Sequence, residues 1–162
     1  MFYLDDASER DDANSTVLCY RMASESGWSD PIRVQGDATA DDGFALFAAD
    51  DGVYAVWQNA KKQFDAATDD WQSIQKSIGL TVAKVTASGV EKTWTVDTTE
   101  EMTPFMPSLA VNNGSVTVVW TENDTNALDG SGTNTIFAQK LDGARVTCAT
   151  RTNPITTLQA GT

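Results

Sequence analysis

Two stretches of the chain repeat one pattern of apolar and polar positions. FALFAADDGVYAVW at 44–57 and PSLAVNNGSVTVVW at 107–120 each read as an apolar strand, a tight turn and a second strand closing on tryptophan. The turns fall at Asp51-Gly52 and Asn113-Gly114, residue pairs that tolerate the positive φ of two-residue hairpins. A polar connection and a second hairpin follow each tryptophan. That hairpin covers Leu80–Val96 in one copy and Ile136–Thr147, turning at Asp142-Gly143, in the other. An earlier copy runs through Val17–Ala23 and Gly27–Val34, and Phe2–Leu4 stands where its tryptophan-bearing strand belongs. Each unit is therefore two successive hairpins, a four-stranded antiparallel meander.

A period of roughly 60 residues with four short strands per unit predicts an all-β fold of β-propeller-like blades, about eleven strands in a partial propeller. A partial blade is expected over 1–35, a blade over 43–97, a second over 105–150, and a tail over 151–162. Pro154–Leu158 in that tail resembles the opening of a further unit. A β-sandwich is the alternative, since it also strings short strands on regular turns; tryptophan recurring at one place in the unit favours blades. The connection at 59–77 differs from its counterparts. Thr68 as N-cap, Asp69 and Asp70 in the first turn, and Trp71, Ile74 and Ile78 along one face predict a short inserted helix over 68–76. Because the chain enters at the second strand of a unit, its unpaired edges call for completion. Other blades of a parent protein would supply it, or a homo-oligomeric ring of copies joined head to tail.

Composition narrows the partners. With 23 acidic against 11 basic residues and a net charge of −12, no nucleic acid is expected to bind. No run approaches the roughly 20 apolar residues of a membrane helix, so no membrane insertion is expected. Met1–Asp6 does not read as a signal peptide. The chain has no histidine, which removes Ser-His-Asp triads and every mechanism with imidazole as base. Cys19 and Cys148 sit in strand-like runs without metal spacing, and are expected as two separate half-buried thiols.

Candidate chemistry lies in the loops. The acid- and Asn-rich connections at 5–12, 59–77 and 122–132 are equivalent in the repeat and would gather on one face. Carboxylate and amide oxygens are what Ca²⁺ prefers, and Asp124, Asn126 and Asp129 form the best local set, with Gly130 for a sharp turn. No other cofactor is expected. Trp57 and Trp120 recur at one position and read as core. Trp28, beside Gly27 and Ser29 at a turn, reads as an exposed platform for a sugar ring. Arg21 and Arg33 flank the same hairpin and complete the candidate ligand-binding set.

The phrase YRMASESGWSDPIRV at 20–34, with GVYAVW at 52–57, resembles the repeats of sialidase/BNR-type β-propellers. The resemblance implies blades carried on a secreted or cell-surface bacterial protein. The family's Asp-box, Ser-x-Asp-x-Gly-x-x-Trp, appears as Ser24–Trp28, shortened and without its aspartate. Sialidases hold the substrate carboxylate with three arginines and use a Tyr/Glu nucleophile pair and an acid Asp. Here Arg10, Arg21, Arg33, Arg145 and Arg151 are the only arginines, and no spacing gathers three of them. The expectation is a non-catalytic binding or scaffold module that meets a glycan or protein through its rim loops. Part of a sialidase-like glycan-processing enzyme and a purely structural spacer are the alternatives.

Overall fold

A computed structural model describes residues 1–126 and 131–153. The first unit contains β1 (Phe2–Asp6), β2 (Thr16–Tyr20), β3 (Ala23–Ser24), β4 (Gly27–Trp28) and β5 (Ile32–Arg33). The second contains β6 (Asp41–Ala49), β7 (Gly52–Ala60), the helix α1 (Trp71–Lys76), β8 (Ile78–Thr86) and β9 (Gly89–Thr95). The third contains β10 (Pro104–Asn112), β11 (Ser115–Asn123), β12 (Gly132–Lys140) and β13 (Arg145–Asn153). The sheets run β1-β2-β5, β6-β7-β8-β9 and β10-β11-β12-β13, with β3-β4 as a small hairpin of its own. Every pairing is antiparallel. The fold is all-β, and the second and third units are four-stranded meanders. No described helix is long and apolar enough to cross a membrane.

Local sequence explains the regular and the irregular parts. Asn113 and Gly114 both adopt positive φ, 49° and 75°, as a tight hairpin turn requires. At Gly52 a Cβ would lie 2.8 Å from the Val85 carbonyl oxygen and φ is 145°, so backbone shape and space both demand glycine. The first unit departs from the simple hairpin its pattern suggests. β2 and β5 pair only at Cys19↔Arg33 and Tyr20↔Ile32; beyond them Met22 bonds to Ser29 instead, its amide donating to Ser29 Oγ at 3.1 Å and its carbonyl accepting from the Ser29 amide at 2.9 Å. Its strands break into the separate β3-β4 tip, which brings the count to thirteen among the described residues.

The helix also starts later than the sequence suggests. Asp70, not Thr68, is its N-cap, accepting from the Ser73 amide at 2.8 Å. Thr68 and Asp69 instead close a turn on the Asp65 carbonyl. Trp71, placed on the apolar face by its spacing, is exposed, while Ile78 belongs to β8.

Alternation along the central strands stacks the sheets in series. On β7 and β8, Tyr54, Val56, Leu80 and Val82 face the third sheet and meet Leu109, Val116, Val118 and Trp120. Ala55, Trp57, Ala83 and Val85 face the first sheet and meet Leu18, Tyr20 and Val34. Period-two side chains buried on both faces make the second sheet the middle layer. Trp57 and Trp120 are both fully buried, as core positions should be. The cysteines are not alike: Cys19 is buried beside Val17 and Ala7, and Cys148 is exposed. Cys148 is the extra residue where β13 shifts register between Thr147 and Ala149, so its side chain leaves the sheet's packing. Both thiols are free.

Candidate functional site

An up-and-down meander sends its second-to-third connection and its exit linker out of the same end. That end is fixed here by Asp41↔Asn59 and Thr81↔Thr95. The loops at 7–15 and 61–77, the described residues 124–126 and the linkers at 34–40 and 96–103 thus share one rim. They are cross-linked in series. Asn14, buried, donates to the Phe64 carbonyl and accepts from the Phe64 amide, both at 2.8 Å. Gln75 donates to the Asn126 carbonyl at 3.0 Å, and Asn126 Oδ1 accepts from the Thr103 amide at 2.7 Å. Arg10 clamps the first linker by donating to the carbonyls of Asp37 and Thr39.

Beneath the rim, each repeated tryptophan donates its indole N–H to a buried carboxylate. Trp57 donates to Asp41 Oδ1 at 2.7 Å, and Trp120 donates to Glu122 Oε1 at 2.8 Å. Asp41 also holds the preceding sheet, and Glu122 the linker that leads into its own. Asp41 accepts from the Leu18 amide at 2.8 Å, and Glu122 from the Thr99 amide at 2.9 Å. The acid comes from the first strand in one unit and from the second in the next, since Asp41 faces Asn59 across the sheet where Pro104 faces Glu122. Burial pushes the Asp41 carboxyl up from its ordinary range, against the N–H groups of Leu18, Asn59 and Trp57 that favour its charged form.

Several openings interrupt the rim. A slot of about 450 Å³ lies between the first linker and the second sheet, lined by Gln35, Asp37, Thr39, Asn59, Thr81 and Thr93 among others. A groove of about 490 Å³ separates α1 from the 124–126 loop, lined by Trp71, Gln72, Glu100, Glu101, Asp124 and Asn126 among others.

No family model, curated protein or solved structure matches the chain. The residues alone carry the reading.

The sequence-picked residues fall at separate places. Trp28 is 58% exposed on the β3-β4 tip, beyond the end of β2 that lies opposite the rim. Arg21 donates to the Tyr3 hydroxyl at 3.2 Å. Arg33 pairs with Glu9, and this guanidinium holds the Glu9 carboxyl below its ordinary value. Trp28 therefore does not share the rim loops, although the loop-borne Glu9 brings Arg33 to their edge. Arg10, Arg21, Arg33 and Arg145 each serve different partners. In the calcium set, Asp124 Oδ1 accepts from the Thr133 amide at 2.8 Å and Asn126 Oδ1 is taken by Thr103. Asp129 and Gly130 lie outside the described residues, as do Pro154–Leu158 of the tail. Among the described residues no three Cys, Asp or Glu side chains form a metal-holding group. Trp71 is the rim residue that spacing alone misplaced. Its signal was the Asp70 cap directly before it, which sets the first helical turn outward.

Proposed function

We propose that this chain is a non-catalytic binding module built of propeller-type blades, which meets a glycan through its rim loops. Trp71 carries the reading: a tryptophan 62% exposed on the rim, beside a groove lined by Glu100, Glu101, Asp124 and Asn126. An apolar ring next to convergent carboxylates and amides offers a sugar both a stacking face and acceptors for its hydroxyls. Loops tied to each other by Asn14 and Asn126 present that groove without a large ordering cost on binding. In this reading the module belongs to a secreted or surface protein. Calcium at Asp124 would extend the same rim. The test is a glycan array with the intact chain and Trp71→Ala. Glycan signal lost in the variant supports the reading; signal that survives, or an array blank for the intact chain, defeats it.

A second reading, a stacking scaffold, is favoured by the outer face of the third sheet. Trp120↔Phe137 is the register counterpart of Trp57↔Thr81, so Val119 and Ile136 occupy the places of Val56 and Leu80. Those two are buried under a following sheet, whereas Val119 is 38% and Ile136 39% exposed. The face stays apolar although no described sheet covers it. Another blade of the same kind fits it, from further repeats of a parent protein or from a second copy in a ring. Concentration-dependent light scattering tests the ring: a dimer that Ile136→Asp dissociates supports it, and a monomer at every concentration removes it.

A further inference from the structure

At its rim end, the layer between the second and third sheets opens into a pocket of about 370 Å³ beneath α1. Strand alternation brings the residues there. Asp41 reaches the Leu18 amide on the side of the first sheet, so its neighbour Asp42 lies on the opposite face, toward the third. Gln58 pairs with Asp42 across the ladder, and Ile78 shares the face of Leu80. Phe105 comes from β10, and Trp71 and Ile74 from α1. Gln75 pins the helix in place. Its carbonyl accepts from the Thr103 hydroxyl at 2.6 Å, and its side-chain amide donates to the Asn126 carbonyl at 3.0 Å.

Trp71, Ile74, Ile78 and Phe105 give the pocket apolar walls. The polar groups among them are one-sided. Gln58 Nε2 donates to the Pro104 carbonyl at 2.7 Å, Gln75 Nε2 to that of Asn126, and Thr103 Oγ1 to that of Gln75. Every side-chain amide and hydroxyl donor in the lining is thus engaged by a carbonyl. The acceptors are not. Among the described residues Gln58 Oε1 and Gln75 Oε1 have no hydrogen-bond partner, and neither is sealed from solvent. A Cβ at Gly43 would lie 2.5 Å from Gln58 Oε1, so this oxygen stands against the backbone next to Asp42. Asp42 is exposed, its Oδ1 accepts only from the Gly43 amide at 2.7 Å, and no lysine or arginine pairs with it. No described lysine or arginine lines the pocket either.

We propose that this pocket binds a small primary amine, its ammonium beside Asp42 and Gln58 Oε1 and its apolar body among Ile74, Ile78 and Phe105. An ammonium supplies both the N–H donors that an acceptor-only lining lacks and the charge that Asp42 leaves unmet. Walls that converge from a sheet, a strand and a helix suit a compact body, about the size of one aromatic ring. A net charge of −12 favours the approach of such a cation. The pocket shares Trp71 and Gln75 with the groove beside Glu100 and Glu101 but none of its carboxylates, and it does not rest on the glycan reading.

The test is an amide-resolved NMR titration of the whole chain with 2-phenylethylamine, its neutral counterpart 2-phenylethanol, and N-acetyl-lysine methylamide. Saturable shifts at Asp42, Gln58, Ile74 and Ile78 are expected with the amine, and at least about tenfold weaker binding of the alcohol. Asp42→Asn, at an exposed position, should weaken the amine about fivefold and leave the alcohol unchanged. Ile74→Trp fills the pocket and should abolish the shifts, whereas Glu101→Gln in the neighbouring groove should leave amine binding as it is. The proposal is overturned if the four amides do not respond, if the alcohol binds equally well, or if binding survives Asp42→Asn or Ile74→Trp unchanged. A loss in Glu101→Gln as large as in Asp42→Asn would also overturn it, in favour of a general acidic surface. Tighter binding of the capped lysine than of the amine would do so in favour of a peptide side chain.

Discussion

Replacing Asn14 by alanine tests whether the rim is one tied structure or a row of independent loops. Its side-chain amide is buried between two loops fifty residues apart in sequence and satisfies both backbone groups of Phe64, at 2.8 Å each. It also donates to Asp11 at 2.7 Å. In Asn14→Ala the Phe64 N–H and C=O lose their partners inside a covered site. At about 1–3 kcal/mol for each orphaned group, less what an entering water recovers, the loss is about 2–4 kcal/mol. That is a large share of the roughly 5–15 kcal/mol that holds a domain together. Asn126→Ala is the comparison. Its partners are the Thr103 amide and the exposed Glu101 carbonyl, so solvent replaces part of what is lost and about 1 kcal/mol is expected. Urea unfolding with an unchanged slope measures both, and hydrogen exchange at the Phe64 amide reports the local site. A loss below about 0.5 kcal/mol for Asn14→Ala, or a Phe64 amide that stays protected, would refute the reasoning.

The other expectations are shorter. Trp120→Phe removes both buried volume and the indole donor to Glu122, and should cost about 2–3 kcal/mol in the same unfolding assay; a cost under about 1 kcal/mol would mean that the clasp is not used. A thiol reagent should label Cys148 in the native chain and reach Cys19 only after unfolding. Cys19 is buried and its thiol is pushed up by burial, so native labelling of both thiols would contradict its enclosure. Asp41, raised by burial, binds its proton more tightly folded than unfolded, so its contribution to stability is full below the unfolded value and lost as pH rises through the folded one. The lowered acids Asp51, Asp69 and Asp70, set by Lys84, Lys62 and the Ser73 amide respectively, act oppositely and weaken the fold only as pH falls below the ordinary carboxylate range. Stability should therefore hold or rise from pH 7 to about 5 and decline only below about 4. Asp41→Asn should flatten the rise, and a steady loss from pH 7 downward would contradict it.

How far the sequence could be read follows from the range of each signal. Hairpins are local: an Asn-Gly pair and a period of two fix strand, turn and strand within fifteen residues, and the two tryptophans mark the register. That is why the meanders and the buried positions of Trp57 and Trp120 were visible. Exposure of Trp71 was not, because three apolar residues at helical spacing look the same whether a turn begins at Thr68 or at Asp70. The choice was made by Asp65, which draws the amides of Thr68 and Asp69 into a turn first. Trp28 read correctly as exposed yet sits away from the rim, since Met22 leaves the ladder to bond with Ser29 and carries the hairpin beyond β2, and no local pattern encodes that direction. The pocket beneath α1 was the least legible feature. Nothing about Asp42, Gln58 or Ile74 in isolation suggests a cavity; it exists only where one sheet face, the next unit's first strand and a short helix meet. No local periodicity records that meeting, because each element is specified by its own neighbours and the cavity by none of them alone.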